Sequence, residues 1–325
     1  MKELPEQYNE CCPYCGYARR SYNCPKAWLK PGSYLNNRYY IGRAVGSDLC
    51  GLSYNAFDVV MKRRVVIRQL LLQNMIPADA AQIFDDSIFY NDPQAERFFY
   101  TYRQLADIEV SSLPKIYTYN RCGSVIYAVT KQVPELTLST YIRNAGAKNF
   151  EGAKKLLLPL IIALKLMHDK GIFHGCLNMA SVRKTDSGLI LFDIPGASCI
   201  EESAAFNPAE AGTNPFVSDL KNFLLIFISV LYGVDKNVDP QIINRDMLSR
   251  SEPAMPEDVK AYIYSAFNGG NEMELTARGI LDVIFKCGEI AVGQKKQVPN
   301  NPPQYLLESA RESGVCVTKL ITSLR

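Results

Sequence analysis

Short runs in which apolar and polar residues alternate dominate the first half of the chain. Three such runs lie between Tyr40 and Leu72 and are separated by turn-forming residues. Two further runs lie between Leu113 and Val133, on either side of a turn. Alternation with a period of two is typical of strands that bury one face. The pattern therefore predicts an antiparallel sheet in this half of the chain.

Helical spacing of apolar residues prevails in the second half. Apolar residues recur every three or four positions in 136–146, in 153–171 and in 218–233, as in helices with one buried face. The last of these helices is expected to have Ser218 or Asp219 as its N-cap. One more helix is predicted at 93–108, within the sheet-forming half, because a proline stands where a first helical turn tolerates it. Together these elements predict an α+β fold.

Composition and charge argue against nucleic-acid-binding, membrane-spanning and secreted proteins. The chain has 325 residues, of which 47% are hydrophobic, and a net charge of +3. A charge so close to neutral does not indicate the clustered basic face of a nucleic-acid-binding protein. The most apolar stretch, Phe223–Val234, is shorter than the ~18 residues that span a bilayer, and the N-terminus does not resemble a secretory signal. With its scattered cysteines, the chain is expected to be cytoplasmic, without a membrane segment.

Four cysteines are concentrated in a polar head piece, residues 1–34. Cys12 and Cys15 form a C-P-x-C-G sequence, a knuckle whose turn suits two thiolate ligands of tetrahedral zinc. The remaining candidate ligands are Cys24 and Cys11, since no histidine lies nearby. One interpretation is a small structural zinc site, and a separate hypothesis is that the cysteine cluster has an oxidation- or zinc-sensing role. The other interpretation is a remnant that lacks the usual second C-x-x-C pair.

The stretch from Gly171 to Gly196 carries the most specific pattern. A DSG turn followed by the apolar run LILFD predicts a short hairpin. The layout resembles a protein-kinase catalytic loop, H-R-D-L-x-x-x-N, followed by a metal-binding turn. On that pattern His174 falls on the His, Cys176 on the Asp and Ser181 on the Asn. Asp193 falls on the metal-binding Asp.

The resemblance extends from about Tyr39 to Phe285 and is closest to bacterial serine/threonine protein kinases. It implies a bilobal protein-kinase-like fold, with an antiparallel-sheet N-lobe at 35–133 and a mainly helical C-lobe at 134–288. The head piece at 1–34 precedes these lobes. A polar, proline-rich linker and a C-terminal tail, 289–325, follow them.

The resemblance also assigns nucleotide-binding positions. Gly46 and Gly51 flank the turn where a kinase has its glycine-rich phosphate loop, and Asp48 stands where the middle glycine would be. The same pair of glycines is compatible with a simple hairpin turn. In a kinase-like cleft, adenine would bond backbone groups of Lys131 and Val133.

Two positions that anchor phosphate in a kinase are changed. Arg68 stands at the strand lysine, an exchange that is not conservative at a tight site. We consider three roles for it: an anion ligand, a partner of Asp193, or a surface arginine at a strand end. Thr101 falls at the helix glutamate that pairs with this lysine.

Three further residues receive structural roles from the resemblance. His174 is expected to pack beneath the metal-binding turn. Asp219 is expected to tie its helix to the backbone of the catalytic loop. Glu210 falls on a glutamate that pairs with an arginine in kinases. In this chain Met273 stands at the position of that arginine.

These substitutions lead to two hypotheses for the function. The first is a pseudokinase, a catalytically impaired kinase-like domain that serves as a signalling scaffold or a regulatory module for a protein partner. In it Cys176 is a small apolar replacement rather than a nucleophile, and Ser181 weakens a magnesium site. The second is an ATP-dependent serine/threonine kinase or atypical transferase, in which Arg68 and Asp193 hold a nucleotide–magnesium complex.

Overall fold

The computed structural model describes residues 28–48, 51–71, 92–185, 190–192, 214–248, 254–268 and 275–286. These residues belong to one compact unit, which ends at Lys286. Seven residues to which the sequence analysis gave a role lie outside the described residues: Cys11, Cys12, Cys15, Cys24, Asp193, Glu210 and Met273. The backbone of Asp48 is described, but its side chain is not.

A six-stranded antiparallel sheet forms the N-terminal part of the described chain. Its strands run in the order β1-β2-β3-β4-β6-β5, and each neighbouring pair is antiparallel. The predicted antiparallel sheet is confirmed, and β1 adds a short strand at its edge. The strands are β1 (Tyr34–Leu35), β2 (Tyr39–Asp48), β3 (Gly51–Asp58), β4 (Arg63–Leu70), β5 (Ile116–Cys122) and β6 (Val125–Lys131).

The helix α1, Pro93–Ala106, packs against this sheet. The Asp92 carboxylate caps it by accepting the N–H groups of Gln94 and Ala95, and Pro93 occupies the first turn, as predicted. Phe98 of α1 and Ile126 of β6 belong to one buried cluster. Leu70 of β4 belongs to the same cluster, which links α1 to the strand that carries Arg68.

The C-terminal part is mainly helical, with one short hairpin. Its longest helices, α3 and α4, pack together through edge-to-face rings of Phe150 and Phe227, whose centroids are 5.9 Å apart. The helices are α2 (Leu138–Ala145), α3 (Phe150–His168), α4 (Pro215–Tyr232), α5 (Arg245–Leu248), α6 (Glu257–Asn268) and α7 (Ala277–Ile280), the last followed by a π-helical turn at Leu281–Phe285. The strands β7 (Val182–Lys184) and β8 (Ile190–Phe192) form the antiparallel hairpin.

The predicted N-cap of α4 is wrong. The helix begins at Pro215, and the side chain of Asn214 accepts the N–H of Phe216 as its cap. Proline fixes a helical φ at the first position, so the helix starts before the Ser218–Asp219 pair rather than at it. Asp219 consequently lies inside the helix and is fully buried.

The helix α4 is longer than the apolar stretch Phe223–Val234, because it begins at Pro215. Within the described part of the chain it is the one helix that is long and apolar enough to cross a membrane, and 67% of it is buried in the fold. Because the core helix of a soluble protein has the same length and composition, this is weak evidence for a membrane span.

Candidate functional site

A cavity of about 450 Å³ opens between the sheet and the loop that follows α3. Its volume is within the ~300–1,000 Å³ typical of small-molecule sites. The sheet contributes Gly46 of β2 and Arg68 of β4, and the loop contributes His174, Cys176 and Ser181. Residues predicted from distant parts of the sequence therefore meet at one site.

Arg68 is buried, with 6% of its surface exposed. It lies opposite Ser53 in the β3–β4 register, and its Nη1 donates to Ser53 Oγ at 3.3 Å. The alternative of a surface arginine at a strand end is therefore wrong. The position places a permanent positive charge in the cavity wall.

Thr101, the predicted counterpart of the kinase helix glutamate, is buried on α1. It is not one of the described residues that line the cavity. A neutral hydroxyl cannot supply the carboxylate that pairs with the strand cation in a kinase.

The two glycines of the predicted phosphate loop have different surroundings. Gly46 lines the cavity, and a Cβ added there would meet Ser53 at 4.0 Å, which is ordinary contact. A Cβ added at Gly51 would overlap the backbone carbonyl oxygen of Gln69 on β4. The glycine at 51 is therefore required by the close approach of two strands.

The predicted adenine-binding segment is only partly available to a ligand. The N–H of Lys131 donates to the carbonyl of Lys115 at 2.8 Å, and its carbonyl accepts from Thr130 Oγ1 at 3.3 Å. Val133 lines the cavity.

A buried carboxylate holds the start of the loop that follows α3, the segment that the resemblance aligns with a kinase catalytic loop and that we call the catalytic-loop segment. Asp219 Oδ2 accepts the N–H of His174 at 2.6 Å, and Oδ1 accepts the N–H of Gly175 at 2.8 Å. Gly175 has a φ of 77°, a conformation that favours glycine. Gly175 thereby lets two successive N–H groups point to one carboxylate.

His174 is itself buried within this segment. Its Nδ1 accepts the N–H of Cys176 at 3.3 Å. An accepting Nδ1 assigns the proton of the neutral imidazole to Nε2. The ring thus takes part in the loop's own hydrogen bonding.

Asn178 organises the remainder of the loop, and sequence reasoning missed it. Its Oδ1 accepts the N–H groups of Ala180 and Ser181 at 2.8 and 3.0 Å, and its Nδ2 donates to the carbonyl of Cys176 at 2.9 Å. The signal was available, because asparagine commonly closes turns by bonding backbone groups a few residues ahead.

The hydroxyl of Ser181 is used within the same turn. Its Oγ accepts the N–H of Asn178 and donates to the carbonyl of Asn178, both at 2.9 Å. Because magnesium prefers carboxylate and carbonyl oxygens, this position fits a metal poorly. Across the part of the chain that is described, no three His, Cys, Asp or Glu side chains gather to hold a metal ion.

The charges in the cavity wall are mainly positive. Arg43 and Arg183 line it together with Arg68, whereas Glu135 is the one carboxylate among the lining residues that the structure describes. Glu135 Oε1 accepts from Arg43 Nη2 at 2.7 Å. Sequence reasoning missed Arg43, Glu135 and Arg183, which come from three separate segments. The cavity is therefore suited to an anionic ligand.

Comparisons with known proteins agree with this architecture. No protein-family model matches the chain. A probable serine/threonine-protein kinase of Clostridium acetobutylicum is 25% identical over 159 residues, which is 49% of this chain and 22% of that kinase. The match thus spans about a fifth of the length of the kinase.

Solved structures provide the fold comparison. Two crystal structures of the kinase domain of PknI from Mycobacterium tuberculosis match with TM-scores of 0.56 and 0.54 and identities of 15% and 14%. Each match covers 80% of this chain, and they cover 99% and 98% of the PknI chains. This chain has a protein-kinase-like fold. The predicted bilobal α+β architecture is confirmed.

In this kinase-like fold, the cavity lies where the N-lobe sheet faces the catalytic-loop segment. Arg68, Cys176 and Ser181 all contribute to its wall. Three positions that the resemblance to kinases singled out therefore lie at one cavity of a kinase-like fold.

Proposed function

We propose that this kinase-like domain is a pseudokinase, a catalytically impaired domain that acts as a signalling scaffold or regulatory module for a protein partner. One observation carries the proposal. The exposed thiol of Cys176 lines the cavity at the position where the kinase pattern has its catalytic carboxylate. The carboxylate that is described in the wall, Glu135, is bound to Arg43. A kinase needs a carboxylate there to orient the substrate hydroxyl and accept its proton.

Two more positions support impaired catalysis. Ser181 commits its hydroxyl to Asn178, which weakens the second metal position of the kinase pattern. Arg68 presents a planar fork, hydrogen-bonded to Ser53, where a kinase uses the compact ammonium of lysine. Because phosphoryl transfer depends on positioning and charge stabilisation, these changes together remove most of the expected rate.

A second candidate function is a nucleotide-binding serine/threonine kinase or atypical transferase with a non-standard site. The size of the cavity and its three arginines support it, since arginine binds phosphate bidentately. In this case Asp193, outside the described residues, would hold magnesium.

A thermal-shift titration with ATP, with and without magnesium or manganese, tests both candidates when combined with a phosphate-transfer assay. A ligand at a hundredfold excess over its Kd stabilises the native state by ~2.7 kcal/mol. The pseudokinase proposal predicts no transfer to protein or peptide acceptors under any condition. Metal-dependent transfer that is abolished by Asp193→Ala would overturn it.

A pair of arginine variants separates nucleotide binding from general charge effects. Arg68→Met should abolish any shift that ATP causes through the cavity. Arg64→Met is the matched control, because Arg64 lies on the same strand, is exposed and does not line the cavity. A metal-independent shift that is lost in Arg68→Met but not in Arg64→Met, without transfer, would identify a nucleotide-binding pseudokinase.

Two accompanying proposals concern the setting of the domain. We propose that it works in the cytoplasm, consistent with its scattered cysteines. We also propose that Cys12 and Cys15, with Cys24 and Cys11, bind structural zinc. Stoichiometric zinc in protein purified without added metal, lost in Cys12→Ser/Cys15→Ser, would support that site. Metal-free protein of unchanged stability would overturn it.

A further inference from the structure

Three aromatic side chains form an exposed row across the first strands of the sheet. Tyr34 pairs with Tyr40 between β1 and β2, and Tyr40 pairs with Phe57 between β2 and β3. Their exposed fractions are 43%, 38% and 39%. The rings of Tyr34 and Tyr40 are in contact, with centroids 5.2 Å apart. Since directly paired residues point to the same face of a sheet, we call these three residues the aromatic row.

The row lies on the face of the sheet opposite to the core. The residues that alternate with its members, Leu35, Tyr39, Ile41 and Ala56, belong to one buried cluster. Pairing between strands explains why the rings touch, because aromatic pairs stabilise sheets by ~0.2–1 kcal/mol each. This stabilisation does not explain why three aromatic side chains on neighbouring strands are exposed to solvent.

Further apolar surface follows at the end of the row. Val60 and Met61, in the turn after β3, are both more than half exposed. Clustered exposed apolar groups of this kind mark interaction sites more often than scattered ones do.

The charges around the aromatic row are positive. Arg64 of β4 pairs with Phe57 in the register and extends the row to a fourth strand. Arg64 and the neighbouring Lys62 are exposed. Asp58 is the one acidic residue of 28–71 whose side chain the structure describes, and it is buried and hydrogen-bonded to Arg38. The row therefore borders cations without an exposed carboxylate among the described side chains of this segment.

We propose that the aromatic row and Arg64 bind an acidic segment of a partner protein that carries apolar side chains. Aromatic faces bury apolar groups at low entropic cost, and an arginine fork pairs bidentately with a carboxylate. An apolar stripe that ends in cations complements a segment in which apolar residues adjoin Asp or Glu. This inference rests on the proposed role as a protein-interaction module and names the class of its partner.

A random peptide library displayed on phage, selected on the full chain, provides the probe. Peptides that also bind a Tyr40→Thr/Phe57→Thr double variant are removed by counter-selection. The remaining peptides should combine Asp or Glu with aromatic or aliphatic residues. Synthetic copies, measured by fluorescence anisotropy, should bind the double variant and Arg64→Glu at least about tenfold more weakly, as expected when a central contact is lost.

Matched substitutions outside the aromatic row test whether the loss of an exposed aromatic or of an exposed cation at any surface position weakens peptide binding. Tyr100 on α1 is 58% exposed, and Lys115, which precedes β5, is also exposed. Tyr100→Thr and Lys115→Glu should leave peptide binding unchanged. Threonine is compatible with strands, so the double variant should melt as a folded protein. Arg64→Glu provides an independent test if it does not.

Three outcomes would overturn the inference. One is a selection that yields no peptide dependent on the row. Another is row-dependent binding of a single-stranded oligonucleotide in place of peptides. The third is self-association of the chain that the double variant abolishes, which would identify a second copy as the occupant. Loss of the inference alone leaves the pseudokinase proposal intact, because phosphate transfer is measured separately. Detected transfer would overturn that proposal, whatever the peptides do.

Discussion

The Nε2 atom of His168 lies 3.2 Å from Oδ2 of Asp219, so the last residue of α3 meets a fully buried carboxylate of α4. The same carboxylate accepts the N–H groups of His174 and Gly175. The two histidines of the chain thus both contribute to one arrangement. It joins two helices to the loop that carries Cys176 and holds the start of that loop in place.

Replacing Asp219 should destabilise the fold and disturb this loop. Asp219→Ala leaves two backbone N–H groups without their acceptor, at a cost of about 1–3 kcal/mol for the buried N–H of His174 and less for the half-buried N–H of Gly175. Asp219→Asn keeps one oxygen and should cost less. Urea unfolding measures the free energy, with Asp235→Ala as control, because that partly exposed carboxylate pairs with Arg143 at the surface. Equal effects of Asp219→Ala and Asp235→Ala would contradict the prediction.

Acid should weaken the sheet through Asp58. The Arg38 guanidinium, which donates to this carboxylate at 2.9 and 2.8 Å, lowers the pKa of Asp58 below its ordinary value, and the N–H groups of Met61 and Val60 add to the effect. A carboxyl group with a lower pKa in the folded state stabilises the protein above its unfolded pKa, about 3.9. That stability is lost as pH falls through the folded pKa.

The comparison with Asp58→Asn isolates this contribution. The variant should be less stable than the wild type at neutral pH, and the difference should shrink as pH falls below about 4. Urea midpoints measured across this range provide the test. A difference that stays constant with pH would show that the carboxylate charge is not responsible.

Two glycines near the β2–β3 connection, Gly46 within β2 and Gly51 at the start of β3, should respond differently to substitution. Gly51→Ala places a Cβ against the Gln69 carbonyl, so the strands must separate, at a cost of about 1–3 kcal/mol. Gly46→Ala meets no close neighbour and should change stability by less than about 0.5 kcal/mol. Thermal melting of both variants tests this difference. Equal melting temperatures would contradict the prediction that only a Cβ at position 51 disturbs the contact between β3 and β4.

Strands of the sheet were predictable where apolar and polar residues alternate along them. The alternation in β3 follows the burial of Leu52, Tyr54 and Ala56, which a local pattern reveals. The N-cap of α4 was not predictable in this way. Both Asn214 and Ser218 are good capping residues, and only the preference of Pro215 for a first turn distinguishes them.

The site was harder to predict than the fold. Arg43 and Glu135 form an ion pair although they are 92 positions apart, so no local pattern connects them. Arg183 lies on β7, bridged to Thr137 at the start of α2, and lines the cavity although it is far from Arg43 in the sequence. The resemblance to kinases located Arg68, Cys176 and Ser181, because it fixes their order and spacing. It did not reveal that Asn178 holds the loop.

The thiol of Cys176 should report whether the cavity is occupied. Cys176 is exposed and lines the cavity, whereas Cys122, at the end of β5, is partly buried. Iodoacetamide should therefore modify Cys176 faster than Cys122 in the folded protein, since reaction requires access to the sulfur. Peptide mass spectrometry follows both sites in one sample. A ligand that enters the cavity should slow the modification of Cys176 and leave that of Cys122 unchanged. Faster labelling of Cys122, or protection of both sites alike, would show that Cys176 does not face an open cavity.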